Sequence, residues 1–282
     1  MQFCRNLIMK LLIPSIDKTA LKTANLINKI HVINMLNGKN GSNLFFNSSK
    51  MIIQNDYDAV LITDDFYFEK PGFESIKTGK NDCFAIINSA GLMNEYCAAR
   101  LFGKQRTVDL VYDEEKQRIY LGSLENGIYA DKAASLFAGS RVKAVCLSKI
   151  EISRKKWEQI LIDSSLMLFA VAARKRILIN YETGNAIRSL VAEIIKVVEA
   201  AGILDFPFGD YVSQFKKKLT DPNWLSCYEG RLNENLEAKA TLLNGYIAQL
   251  GRRYSVATPI NNSLALIASL IAGKDNSVNK QT

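Results

Sequence analysis

The scarcest reactive residue in this chain is histidine, present once as His31. A nucleophile activated by imidazole needs a histidine beside it, and zinc sites built on imidazole need several, so both chemistries are excluded. His31 lies in the apolar run Ile30-His31-Val32-Ile33 and is read as a strand residue, not a ligand. Cys4, Cys83, Cys97, Cys146 and Cys227 form no C-x-x-C pair, and their odd number argues against a disulfide framework. A reducing cytoplasm suits them, and no metal site is expected. Gly38 and Gly41, in Asn37-Gly38-Lys39-Asn40-Gly41-Ser42, are spaced to bring backbone N–H groups to a phosphate, although an ordinary turn has the same spacing.

Lys and Arg number 36 against 28 Asp and Glu in 282 residues, a formal charge of +8. Such a balance suits an anionic ligand and equally a solvated surface. The clusters Arg154-Lys155-Lys156, Arg174-Lys175-Arg176 and Lys216-Lys217-Lys218 have no interleaved aromatic motif, so nucleic acid is not the expected partner. Lys155 and Lys156 are read as surface charges. No run of about 18 apolar residues occurs, and the opening residues lack a cleavage pattern, so neither a membrane span nor export is expected.

The elements that must position any site divide the chain in two. From Lys10 to Leu147, short apolar runs recur: Leu11 to Ile13, Ile30 to Ile33, Ala59 to Ile62, Phe84 to Ile87, Val108 to Tyr112 and Arg118 to Leu121. The first four lack period-two alternation, as parallel strands buried on both faces do. After Ser148 the spacing turns helical. Trp157, Ile160, Leu161, Ser164 and Leu168 make one stripe, and Ile187, Leu190, Val191, Ile194, Ile195 and Val198 make another that ends at Gly202. A third helix is expected over Glu237 to Leu250, with Gly251 close to its end, and a fourth from Thr258-Pro259, with a frayed tail after Gly273. These patterns predict an α/β domain over residues 1–150 with a mostly parallel sheet, then an all-α domain over residues 151–282.

In the helical half, Leu243-Asn244-Gly245 is followed by Leu250-Gly251-Arg252-Arg253-Tyr254-Ser255-Val256-Ala257-Thr258-Pro259-Ile260-Asn261. This resembles the C-terminal signature of ketopantoate (2-dehydropantoate) reductases, L-N-G and then L-G-x-x-x-x-V-x-T-P-x-N. Ile119 to Leu124 resembles the last strand of that family's first domain, Trp157 its interdomain-helix tryptophan, Tyr57 to Ile62 another strand, and Gly91 to Glu95 a segment following the next one. The resemblance implies a Rossmann-like domain carrying NADPH, a helical domain, and a keto acid bound in the cleft between them. It also implies a possible homodimer.

The residues that would do the family's chemistry are mostly replaced. A dinucleotide-binding turn needs glycines for the tight bend and for close approach to the pyrophosphate. Here the first strand runs into Pro14-Ser15-Ile16-Asp17-Lys18-Thr19-Ala20, with no glycine, and a carboxylate near where the phosphate would rest. By the resemblance, Asp65 stands at a cofactor- and substrate-holding lysine, and Ala90 at an asparagine. Gln159 stands at the proton-donor lysine, and Asp163 and Met167 at asparagines one and two turns on. Lys239 stands at the substrate glutamate, and Cys227, with Ser226 beside it, at a serine. Asn261 is retained and is a substrate-binding candidate. A lysine has become an acid and a glutamate a base, so a pairing of Asp65 or Asp163 with Lys239 is one reading and independent drift the other.

Two functions follow. One is a ketopantoate reductase-like pseudoenzyme that has weakened or lost NADP binding and holds a small anionic ligand or a protein partner in the interdomain cleft. The alternative is an active NAD(P)H-dependent oxidoreductase acting on another 2-oxo acid, or on ketopantoate through a rebuilt site.

Overall fold

Apolar runs that do not alternate become the inner strands of one sheet. In the computed structural model, Ala59, Val60, Leu61 and Ile62 are each at most 1% exposed, as are Phe84, Ala85, Ile86 and Ile87, so both faces of these strands are covered. The structure describes residues 10–13, 26, 32–35, 57–63, 82–88, 98–113, 115–125, 128–172, 180–202, 208–231 and 236–278. They belong to two compact units, Met1–Lys156 and Trp157–Thr282.

The first unit holds a seven-stranded sheet, ordered β2-β1-β3-β4-β5-β6-β7. The strands are β1 (Lys10–Ile13), β2 (Val32–Met35), β3 (Ala59–Thr63), β4 (Phe84–Asn88), β5 (Thr107–Asp113), β6 (Arg118–Ser123) and β7 (Lys143–Cys146). β1 to β5 run parallel, with Leu11 opposite Ile33 on one side and Ala59 on the other, and Ala85 opposite Thr107. β6 turns back antiparallel along β5, from Val108 opposite Ser123 to Asp113 opposite Arg118. Gln117 takes a positive φ of 50° in that turn. β7 then extends the sheet parallel to β6, a seventh strand not read from the sequence because Lys-Ala-Val-Cys is short and exposed at both ends.

Alternate residues of these strands, Leu11, Leu61, Phe84, Ile86, Val108, Leu110, Ile119 and Leu121, build a core with Ala130 and Ala133 of α1 (Ile128–Ser135) and with Leu136 and Phe137 beyond it. The order of the strands reverses at β1, and in open sheets of this kind the ligand crevice opens outside the carboxyl ends of the strands flanking the reversal, here β1 and β3. The residues that follow those two ends, and with them Pro14, Ser15, Ile16, Asp17 and Asp65, lie outside the described residues, as do His31, Gly38, Gly41 and Ala90.

The opposite sheet face receives the first two turns of α2 (Lys149–Ala172). A Cβ on Gly122 would stand 2.3 Å from Cγ2 of Ile152, so the strand is bare there to let the helix down. Lys156, one turn on from Ile152 and thus on the same side of the helix, reaches Asp109, the residue opposite Gly122 in the β5–β6 ladder. Its Nζ lies 2.6 Å from Asp109 Oδ1, with the two side chains 4% and 3% exposed. This corrects the reading of Lys156 as a surface charge: a basic run at the start of a long helix conceals one lysine aimed at the sheet. Lys155 is half-buried, its Nζ 5.8 Å from the centre of the Tyr120 ring. Gly122→Ala should lower stability by about 1–3 kcal/mol through overpacking, measured by urea denaturation. Ile152→Ala in the same chain should recover part of that loss, and an unchanged midpoint for Gly122→Ala alone would contradict the packing.

The second unit is helical: the rest of α2, α3 (Tyr181–Ala200), α4 (Phe208–Leu219), α5 (Pro222–Arg231), α6 (Leu236–Arg253) and α7 (Pro259–Val278). Asn180 and Thr183 cap α3 reciprocally, and Gly202, at φ 62°, closes it as expected. All six apolar residues of the expected α3 stripe are buried. Pro259 opens α7 as predicted, but the helix runs past Gly273 to Val278, where fraying was expected. The turn after α6 passes through Ser255, at φ 58°. Gly251 serves close approach instead, since a Cβ there would stand 2.7 Å from Thr258 Cγ2 and 2.8 Å from the Val256 carbonyl oxygen.

Candidate functional site

Gln159 and Asp163 are one helical turn apart on α2 and therefore share a face. The Gln159 amide Nε2 donates to both carboxylate oxygens of Asp163, at 2.9 and 3.0 Å. The Tyr228 hydroxyl of α5 donates to Oδ1 from the other side at 3.0 Å. An ionised carboxylate only accepts, so the phenol proton points at Asp163 and the amide nitrogen of Gln159 faces it. Tyr228 is 2% exposed and Asp163 8%, so their hydrogen bond is made away from bulk water, while Gln159 is half-buried.

The start of α5 explains why Tyr228 is there. Asp221 Oδ1 accepts from the backbone N–H groups of Asn223 at 2.9 Å and Trp224 at 3.3 Å, and Pro222 fits the first helical position. Trp224 stacks on Tyr228 one turn later, with centroids 5.5 Å apart and planes 16° from parallel, and Lys218 Nζ lies 5.6 Å from the Trp224 ring. Capped and stacked, the helix delivers the phenol to the carboxylate.

A second buried carboxylate, Glu193 of α3, holds the start of α7. Its Oε1 accepts from Ile260 N–H at 2.9 Å, and its Oε2 from Asn261 N–H at 3.0 Å and from Asn261 Nδ2 at 2.9 Å. The first N–H groups of a helix have no partner within it, and the positive end of its dipole favours an anion. Asn261 Oδ1 in turn accepts from Asn244 Nδ2 at 3.1 Å. Asn261, a substrate-binding candidate by resemblance, is thus 0% exposed and has its side chain committed to a helix junction.

The other sequence candidates divide as follows. Ser226 is exposed on α5, Met167 is buried, and the side chains of Cys227 and Lys239 lie outside the described residues, as does any pairing of Lys239 with Asp65 or Asp163. Sequence reading missed Tyr228, Glu193 and the Asp109–Lys156 pair. Two signals were present. Trp224 and Tyr228 stand four apart as a helix-face aromatic pair, and Glu193 lies three after Leu190 and four before Val197, a charge set within the apolar stripe.

Thiol chemistry finds little support among the described cysteines. Cys83 is buried, and burial first, then the hydrogen bond and charge of Asp131, push the Cys146 thiol up to about 11. At neutral pH Cys146 is therefore a thiol, not a nucleophilic thiolate. No group of three or more His, Cys, Asp or Glu that could hold a metal occurs among the described residues. None of their helices is long and apolar enough to cross a membrane.

The family model "Ketopantoate reductase PanE/ApbA C terminal" matches residues 151–272. No curated protein matches the chain. Among solved structures, D-mandelate dehydrogenase with NADH and anilino(oxo)acetate is similar at 15% identity and a TM-score of 0.68, over 96% of this chain and 99% of that one. A PanE/ApbA family ketopantoate reductase from Ralstonia eutropha JMP134 is similar at 13% identity and a TM-score of 0.72, over 95% and 100%. A dimeric ketopantoate reductase from Staphylococcus aureus is similar at 12% identity and a TM-score of 0.63, over 94% and 100%. The helical half is thus matched by that family's C-terminal model, and the α/β-then-helical fold of ketopantoate reductases is shared over nearly the whole length of the chain.

Proposed function

We propose that this protein has given up hydride transfer and keeps the scaffold to bind a small anionic ligand or a protein partner, with residues 1–150 as a Rossmann-like domain of degenerate phosphate turn and residues 151–282 as the helical domain. The hydrogen-bonded group at Gln159 carries this reading. The position that the resemblance gives to a proton-donating ammonium holds a neutral amide, tied at 2.9 Å to the Asp163 carboxylate. An amide cannot deliver a proton as an ammonium can, and a carboxylate beside a developing alkoxide raises the barrier. Loss of a general acid costs about 10²–10⁴ in rate by itself. The absence of glycine from Pro14 to Ala20, where the resemblance implies a phosphate-binding segment, would weaken pyrophosphate binding in addition.

One observation favours a second reading, an active NAD(P)H-dependent reductase of a different 2-oxo acid. The Tyr228 hydroxyl, held against Asp163, is a proton-bearing group where a replacement acid would be wanted. Steady-state oxidation of NADPH and NADH by the full chain, offered 2-dehydropantoate and a panel of other 2-oxo acids, distinguishes the two. No turnover above the protein-free rate is expected. Turnover that Tyr228→Phe lowers by about 10²-fold or more, while the variant still folds, would replace the first reading with the second.

A further inference from the structure

Three linked side chains of the second unit fix one another's hydrogen-bond roles. The Glu193 carboxylate can only accept, so the Asn261 nitrogen that reaches it at 2.9 Å is a donor and Asn261 Oδ1 is the acceptor on its other side. That oxygen takes one amide hydrogen of Asn244 at 3.1 Å, and the Ser164 carbonyl of α2 takes the other, also at 3.1 Å. Both hydrogens of the Asn244 amide are then used, and Oδ1 is left as an acceptor. Asn244 and Ser164 are each 0% exposed, and neither Asn244 Oδ1 nor Ser164 Oγ has a hydrogen-bond partner among the described residues.

A buried polar atom left without a partner destabilises the fold, and here there are two. They belong to residues already joined by a direct hydrogen bond, and complete burial keeps out any ligand that must enter from bulk solution. What they need is a small group able to donate to an amide oxygen and to exchange a hydrogen bond with a hydroxyl. A water molecule does both, and buried waters typically sit on otherwise unsatisfied polar groups of this kind. We propose that Asn244 Oδ1 and Ser164 Oγ hold one internal water between α6 and α2, on the residue next to Asp163. This extends the polar chain Glu193–Asn261–Asn244 to the helix that carries Gln159 and Asp163. Ser165 Oγ, also unpartnered among the described residues, lies about 100° further round α2 and is not part of the site. The proposal is independent of whether the protein is an enzyme.

A high-resolution crystal structure of the full chain tests it. The expected result is a single water within about 2.7–3.2 Å of both oxygens, absent when the same crystal form is grown from Ser164→Ala. A dry junction would overturn the proposal, as would a Ser164 hydroxyl bonded back to the Ile160 carbonyl one turn earlier, or a water that persists unmoved in Ser164→Ala. Should the variant not crystallise, water cross-relaxation to the Asn244 side-chain amide protons of the native chain decides the matter. A long-lived water signal there supports the site, and its absence overturns it.

Discussion

Lys156→Ala should destabilise the protein by about 3–5 kcal/mol, because it strands the Asp109 carboxylate in the sheet without its ammonium. The pair lies 2.6 Å apart with both side chains at most 4% exposed, so water cannot replace the missing partner. Asp109→Ala should cost about as much for the mirror-image reason, a buried ammonium left without its carboxylate. The double replacement Asp109→Leu with Lys156→Met is expected to recover most of the loss, since an apolar pair of similar volume avoids desolvating two charges. Urea denaturation of the four chains makes the double-mutant cycle. Single variants within about 1 kcal/mol of the native chain would mean that the pair contributes no more than a surface contact. The position matters because the preceding turn of α2 lays Ile152 on Gly122, so the pair and the missing side chain together set this end of the helix on the sheet.

Glu193→Ala is expected to cost about 2–4 kcal/mol, since hydrogen bonds to a charged group contribute about 1.5–3 kcal/mol each and the contributions are not additive. Three donors, Ile260 N–H, Asn261 N–H and Asn261 Nδ2, lose their acceptor at once. Glu193→Gln keeps the shape but must turn an NH₂ toward at least one N–H, because both oxygens of the native residue accept. It should therefore lose about 1–3 kcal/mol instead of restoring stability. Hydrogen exchange at Ile260 and Asn261 gives the local readout, with faster exchange expected in both variants. A glutamine variant as stable as the native chain would show that the charge at the start of α7 is dispensable.

Much of the fold was legible because burial on two faces and burial on one face write different patterns. Ala59 to Ile62 and Phe84 to Ile87 read as inner parallel strands for the reason the structure bears out, the absence of a solvent face. The α3 stripe and its Gly202 stop were equally plain, since a 3.6-residue period and a positive-φ terminus both leave local traces. β7 left almost none, being four residues at the sheet edge. Helix α5 went unread because its useful signal, an Asp-Pro start and an aromatic pair four apart, is about caps and stacking more than apolar period, whereas α4 went unread despite a clear amphipathic pattern.

The candidate site was legible as a set of substitutions, but its wiring was not. Resemblance picked out Gln159 and Asp163 by position, and their direct hydrogen bond agrees with helical spacing. Tyr228 lies 65 residues away from Asp163 in the chain, and a contact at that separation has no local signature. Lys156 illustrates the opposite hazard: composition marks Arg154-Lys155-Lys156 as solvated, while helical phase decides which of the three meets the sheet.

Titration of the full chain with NADPH and NADP⁺, followed by cofactor and tryptophan fluorescence and by calorimetry, addresses the central claim most directly. The account predicts no saturable binding up to about millimolar cofactor, a limit corresponding to roughly −4 kcal/mol. Micromolar binding would contradict it, for it would require a rebuilt phosphate site after β1 despite Pro14 and Asp17, and would favour the reading of a working NAD(P)H-dependent reductase.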